Sequence, residues 1–307
     1  MNNACKVVYA VVATPGSPFL NWAAASAYVA KTLKCVSSVV LCTDAETLKL
    51  AKSLDHHIIR IVDDIVVAPE FKGTARERSR WVKTQIRSMV SGDFVFIDAD
   101  AVPVAEFPEM MAHGHDFAAV EADAPFSAIA QWYVPAAAKL NWKINHDLHY
   151  SSGVFFLRDN DVTQAFGRSW NRKWLEWKGI DKSGVIADQP SFNSAVFESD
   201  MKCLTLPTRF NIPLFTAFQR TDDPRIFHYP ASTRRSRYSL LETLSAQLEA
   251  TGKCDLSLVE KARKDNNPWT GSRFVVQYDY FMSSARVYVT SQLRRRLPLA
   301  YRNRLVR

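Results

Sequence analysis

The sequence predicts an α/β protein, a parallel sheet with helices on both sides, continued by a helical C-terminal segment. Three observations carry that expectation. Short apolar runs alternate with helix-patterned segments through the first hundred residues. The 307 residues are 47% hydrophobic and 12% aromatic, enough to bury a sizeable core and too apolar for a disordered chain. Only 10 glycines and 14 prolines are present, which excludes a collagen-like repeat.

Taken in order, Val7–Ala13 reads as a buried strand. It is too short and too rich in Val for a secretory apolar region, and it runs into Thr14-Pro15-Gly16. Ser17-Pro18 supplies a cap and a first-turn proline for a helix to about Lys34. Val39–Leu41 is a second strand, followed after Thr43-Asp44 by a helix through Leu54; Ile58–Val62 is expected as a third. A helix over 75–90 puts Val82, Ile86, Met89 and Val90 on one face. Phe94–Ile97 is the fourth strand, and it ends in Asp98-Ala99-Asp100. Beyond it, Phe117–Val120, Gly153–Leu157, Met201–Leu206 and Arg225–His228 read as strands. Helices are expected over 162–177, after Asp188-Gln189-Pro190, and again from about Ser239. In open α/β sheets ligands bind beyond the carboxyl ends of the strands, where Thr14, Asp44, Asp98 and Asp100 fall.

The formal charge of +8 is unevenly placed. Seven arginines follow the last acidic residue, Asp279 (Arg286, Arg294, Arg295, Arg296, Arg302, Arg304 and Arg307), so the rest of the chain carries only +1. Leu, Val and Tyr interleave with those arginines, a mixture suited to an anionic membrane surface; a solvated basic end is the alternative. No stacking platform accompanies the tail, so nucleic acid is not expected. No run of about 18 apolar residues is present. The five cysteines lack CxxC spacing and read as reduced thiols, which points to the cytoplasm.

The functional argument rests on Asp98 and Asp100. Two carboxylates at the mouth of a buried strand repel each other and lose hydration unless a cation neutralises them. A hard divalent ion would do so and could also bridge a diphosphate. The string resembles the DxD motif of GT-A glycosyltransferases. It also resembles the nucleophile motif of haloacid-dehalogenase-type phosphatases, since Val102 completes that pattern. Three strand–helix units precede it, whereas the phosphatase motif usually ends the first strand. The second Asp pair, Asp222-Asp223, sits in a turn-like sequence.

Later segments extend the first resemblance. Tyr150–Leu157 is similar to the Asn-Ser-Gly strand of the retaining glycogenin/galactosyltransferase-like family 8, with Ser151 where the family has Asn. Asp188-Gln189-Pro190-Ser191-Phe192-Asn193 resembles its Asp-Gln-x-x-x-Asn motif, Asn211 ends a segment like its next strand, and Phe227-His228-Tyr229 resembles its late His motif. The resemblance covers about residues 5–232. It implies a Rossmann-like α/β/α sandwich with a mixed central sheet, as residues 1–235, and a helical, Arg-rich extension over 236–307.

The resemblance further implies a metal-dependent transferase using a nucleotide-diphosphate sugar, UDP-linked, with retention of configuration. Asp98, Asp100 and His228 would hold Mn²⁺, with Mg²⁺ as the alternative ion. Asp188 and Gln189 would lie against the donor sugar as the catalytic pair. Thr14, Asp98, Ala99, Ser152 and Gly153 would touch the donor, with Arg80 or Lys83 as its basic contact. The acceptor would be a glycan, glycolipid or protein hydroxyl, met by aromatics of the irregular stretch (Phe126, Trp132, Tyr133, Trp142, Tyr150). The stripe Phe166, Trp170, Trp174 and Trp177 reads as core, and His113, His115, His146 and His149 as surface or network residues. The competing readings are a phosphatase or sugar-phosphate nucleotidyltransferase and a non-catalytic nucleotide-sugar-binding protein. A cytoplasmic location, peripheral at the inner membrane face, is expected.

Overall fold

The computed structural model describes residues 5–122, 134, 137–145, 147–180, 187–214, 222–230, 238–272, 274–279 and 281–282. The long apolar runs form strands because each strand is covered on both faces. In β1 (Lys6–Val11), Val7, Tyr9 and Val11 enter one apolar cluster while Val8 and Ala10 enter another. β4 (Phe94–Ile97) divides the same way, with Val95 and Ile97 on one side and Phe94 and Phe96 on the other. Full burial of each such side chain contributes roughly 1.5–3 kcal/mol.

The main sheet has seven strands in the order β3-β2-β1-β4-β7-β6-β8. β2 (Ser38–Thr43), β3 (Asp64–Val67), β1 and β4 run parallel. β7 (Tyr150–Leu157) is antiparallel to β4 and to β6 (Phe117–Glu121), and β8 (Cys203–Leu206) is parallel to β6. The sheet is therefore mixed. A second sheet joins β5 (Ala101–Pro103), β10 (Ile226–His228) and β9 (Ile212–Pro213) in the order β5-β10-β9.

Helix α1 (Phe19–Thr32) lays its alanines on the sheet, and Tyr9 meets Ser26 through a 2.7 Å hydroxyl contact. Pro18, not Ser17, occupies the cap position; the Ser17 hydroxyl accepts the Thr14 N–H instead. Asp44 caps α2 (Ala45–Ser53) as its position suggested. The expectation of a strand at 58–62 is wrong: Ile58–Ile61 is a short helix, α3, closed by the Val62 N–H on the Ile58 carbonyl. The edge strand is the next segment, β3.

Helix α4 (Ala75–Met89) begins with a capping box between Thr74 and Glu77. α5 (Asp161–Ile180) buries Phe166, Trp170, Trp174 and Trp177, so the aromatic stripe is core. α6 (Gln189–Phe197) follows Asp188. α7 (Leu240–Thr251), capped by Ser239, packs Leu240, Leu244 and Leu248 into the cluster that includes α1, and α8 (Leu256–Lys264) continues it. Phe126, Trp132, Tyr133, His146, the 235/236 boundary and the arginines from Arg286 onward lie outside the described residues. Among the described residues no helix is long and apolar enough to cross a membrane.

Candidate active site

Strand pairing assembles the site. β4 delivers Asp98, whose N–H donates to the Gly153 carbonyl on neighbouring β7 at 2.8 Å. Immediately after Asp100 the chain enters β5, which pairs antiparallel with β10 so that His228 stands opposite Ala101. The Tyr229 N–H closes the arrangement on the Asp100 carbonyl at 2.8 Å. One ligand atom each from Asp98, Asp100 and His228 consequently lies within 4.8 Å of the others. His228 Nε2 is 3.3 Å from Asp100 Oδ1. Two carboxylates and an imidazole make a donor set that fits a divalent first-row cation.

Glycine at 153 is required by space. A Cβ there would overlap His228 Cε1 and approach Asp98 Oδ2 to 3.2 Å. The ring is therefore seated against backbone, with nothing but hydrogen between it and β7.

Beside this cluster α4 raises two cations. Lys83, 4% exposed, places Nζ 3.0 Å from Asp98 Oδ1 and 3.1 Å from Asp188 Oδ2, and over the Phe96 ring. Arg80 Nε lies 3.1 Å from Asp188 Oδ1. The family resemblance offered Arg80 or Lys83 without choosing between them; both reach the site. Arg87, one turn further along α4, does not. It is buried over the Phe94 ring and bonds the Val90 and Gly92 carbonyls, and it pairs with Asp159.

Asp188 stands at the N-cap position of α6 yet caps nothing with its side chain. Its carboxylate instead receives Lys83, Arg80 and the Ser152 hydroxyl at 3.0 Å. Burial opposes its ionisation, but the Lys83 and Arg80 charges prevail and hold its carboxyl well below the usual carboxylate range. At Asp98 burial wins: it and the Asp100 charge push the carboxyl up against the pull of Lys83. At His228 burial disfavours the imidazolium, and the Asp100 and Asp98 carboxylates outweigh it to raise the pKa.

The structure thus brings together Arg80, Lys83, Asp98, Asp100, Ser152, Gly153, Asp188 and His228. Ala99 lies buried between the two aspartates. Gln189 opens α6, its carbonyl accepting from Asn193. Thr14 lies in an exposed turn, its carbonyl accepting from the Ser17 N–H. Asp44 is engaged by Arg78 at 2.7 Å as well as by its helix. Trp142 and Tyr150, expected at the acceptor side, are instead buried. Trp142 packs on Trp177 and donates to Glu176, while the Tyr150 hydroxyl meets Thr205. Bulky aromatics beside α5 and β7 are taken up by the core before they can serve a ligand. His115 and His149 are buried and bonded to Met110 and Asn193, as network residues. Asp223 is paired with Arg209 and Arg225, away from the aspartate cluster.

Two asparagines of the motifs quoted above, Asn193 and Asn211, hold the framework of the site, roles that the sequence left unassigned. Asn193 accepts the Tyr150 N–H at 2.6 Å and donates to the Tyr150 carbonyl at 2.9 Å, pinning the start of β7. Asn211 stands between Ser151 and His228.

A Rossmann-like sheet that carries an Asp-x-Asp at the end of its fourth strand, completed by a His from a small companion sheet, defines a glycosyltransferase of the GT-A type. The profile of the nucleotide-diphospho-sugar transferase family matches residues 34–230, and the chain belongs to that family. No curated protein matches the chain by sequence. Among solved structures, it is similar to the apo WbbM bifunctional glycosyltransferase at 15% identity and a TM-score of 0.49, covering 91% of this chain and 52% of that one. It is also similar to mouse xyloside xylosyltransferase 1 (12% identity, TM-score 0.48, 76% of this chain and 99% of that one). A third is the apo glycosyltransferase GlyE of Streptococcus pneumoniae (12% identity, TM-score 0.48, 88% and 66%). The chain thus spans about half the length of the first of these.

Proposed function

We propose that the protein moves a sugar from a UDP-linked donor to a hydroxyl of a glycan, glycolipid or protein, with retention of configuration and dependence on Mn²⁺. The observation that carries this reading is the convergence of Asp98, Asp100 and His228 beside the buried Lys83 and the half-buried Arg80, in a member of the nucleotide-diphospho-sugar transferase family. A divalent cation held by those three residues supplies charge neutralisation to the departing diphosphate.

The chain's own residues have the remaining work. Lys83 and Arg80 offer positive charge to phosphate oxygens and hold the Asp188 carboxylate in place. Asp188, kept ionised, accepts hydrogen bonds from sugar hydroxyls. Gln189 lies under the anomeric carbon, and Thr14, Ala99, Ser152 and Gly153 line the donor. Because Lys83, Arg80 and the Ser152 hydroxyl already engage the Asp188 carboxylate, it is a poor nucleophile. That favours front-face attack, in which the acceptor oxygen bonds the anomeric carbon as the phosphate oxygen leaves and takes the acceptor proton.

The test is donor hydrolysis by purified protein with UDP-, GDP- and CMP-sugars, with and without Mn²⁺. Release of UDP that needs Mn²⁺ and vanishes in an Asp98→Ala/Asp100→Ala variant is expected. Release of inorganic phosphate would instead support a phosphatase, and an inverted product would overturn retention.

A membrane partner is part of the same proposal. Phe274, Tyr278, Phe281 and Met282, spaced i, i+4, i+7 and i+8, are all exposed on the last described helical turns, just before the seven arginines. An apolar face followed by clustered positive charge suits an anionic bilayer, which would put the protein at the cytoplasmic face of the inner membrane. Deleting 286–307 should abolish sedimentation with anionic liposomes; unchanged binding removes the membrane from the proposal.

A further inference from the structure

We propose that Asn211 is a positioning residue that fixes which nitrogen of His228 faces the cation, an inference resting on the metal-dependent reading above. Asn211 is 2% exposed and follows the 3-10 turn at Thr208–Phe210. Its Nδ2 donates to the Ser151 hydroxyl at 2.9 Å, and its Oδ1 lies 2.9 Å from His228 Nδ1. With the amide nitrogen committed to Ser151, the oxygen is what His228 meets. An oxygen without a proton can only accept, so Nδ1 must carry the hydrogen. Nε2 is then left with its lone pair, on the side where Asp100 Oδ1 stands at 3.3 Å.

The surroundings restrict the ring further. A Cβ at Gly153 would overlap Cε1 and come within 3.0 Å of Nδ1, so the imidazole is confined between that backbone and Asn211. The Gly153 N–H also donates to Ser151 Oγ at 3.3 Å, which holds the hydroxyl where it can accept from Asn211. Ser151, Asn211 and His228 therefore form one relay of orientation, running from β7 through the 3-10 turn to β10. Ligating imidazoles are commonly oriented in this way by an acceptor on the second nitrogen, and loss of that acceptor lowers metal affinity about 10–100-fold.

Two measurements test this. In ¹⁵N-histidine-labelled, metal-free protein at a pH where His228 is neutral, long-range ¹H–¹⁵N spectra should show a protonated Nδ1 and a lone-pair Nε2; a protonated Nε2 would overturn the assignment. By electron paramagnetic resonance with Mn²⁺ alone, Asn211→Leu should bind at least tenfold more weakly than the unaltered protein. Asn211→Asp, which keeps an acceptor, should bind within about threefold of it, short of the roughly 10–100-fold loss that follows removal of such an acceptor. Equal Mn²⁺ affinity in Asn211→Leu would overturn the role, as would equal losses in both variants. If the unaltered protein itself binds no Mn²⁺, the cation reading fails, and the ring spectrum alone still decides whether Asn211 sets the proton's position.

Discussion

Asp98 and Asp188, from motifs far apart in sequence, share one ammonium: Lys83 Nζ is 3.0 Å from the first and 3.1 Å from the second. The same contact ties β4, which ends in the acidic pair, to α6, which Asp188 precedes. Removing Lys83 takes away the ammonium beside Asp98 and leaves Asp188 with Arg80 and the Ser152 hydroxyl alone. Lys83→Met is expected to lower unfolding stability by about 3 kcal/mol, read from urea midpoints. Mn²⁺ binding without donor should hold or tighten, because a competing positive charge has gone, while sugar transfer falls. Weaker Mn²⁺ binding would mean that Lys83 builds the cluster and does not merely balance it.

Gly153→Ala places a methyl group against the His228 ring. The ring must shift, so Mn²⁺ affinity should drop about tenfold or more, comparable to losing an orienting contact. Overpacking should cost about 1–3 kcal/mol in stability. An alanine variant with unaltered Mn²⁺ affinity would show that His228 can move without consequence.

The stripe on α5 separates core from sugar platform by experiment. Trp170 is fully buried, stacks with Phe166 and meets Phe192 edge-on. Trp170→Ala should destabilise by about 3–5 kcal/mol. A raised donor KM with unchanged stability would contradict the core reading.

Burial pushes the His149 imidazole down from 6.5 to about 4. As pH falls below about 6.5, the unfolded chain takes up a proton that the folded one refuses until about 4. Stability is thus complete above that window and is lost through it, by about 2.5 kcal/mol at pH ~4.5. In His149→Gln, which keeps an acceptor for Asn193, the difference between urea midpoints at pH ~7 and ~4.5 should shrink correspondingly. An unchanged difference would move the acid sensitivity elsewhere.

Much of the sheet was legible because its strands are long and buried on both sides, as in β1 and β4, and because Thr74 and Glu77 announce α4 in plain residue types. The run Ile58–Val62 was not, since a handful of apolar residues fits one helical turn as well as a strand. β5 and β9 are two- or three-residue strands that exist only by pairing with β10, which no local pattern reveals. The acidic pair could be read from its place at the end of a buried strand, and His228, Arg80 and Lys83 from the family resemblance. What spacing could not supply was which donor faces which acceptor: the capture of Asp188 by Lys83, Arg80 and Ser152, or the meeting of Asn211 with Ser151, sixty positions apart.

The most direct test is anomalous diffraction at the manganese edge from crystals grown with Mn²⁺ and UDP. The account predicts one strong peak coordinated by Asp98, Asp100 and His228 Nε2 and by the diphosphate oxygens of the nucleotide. Nucleotide bound with no peak among those three side chains, or a peak ligated by other residues, would contradict it.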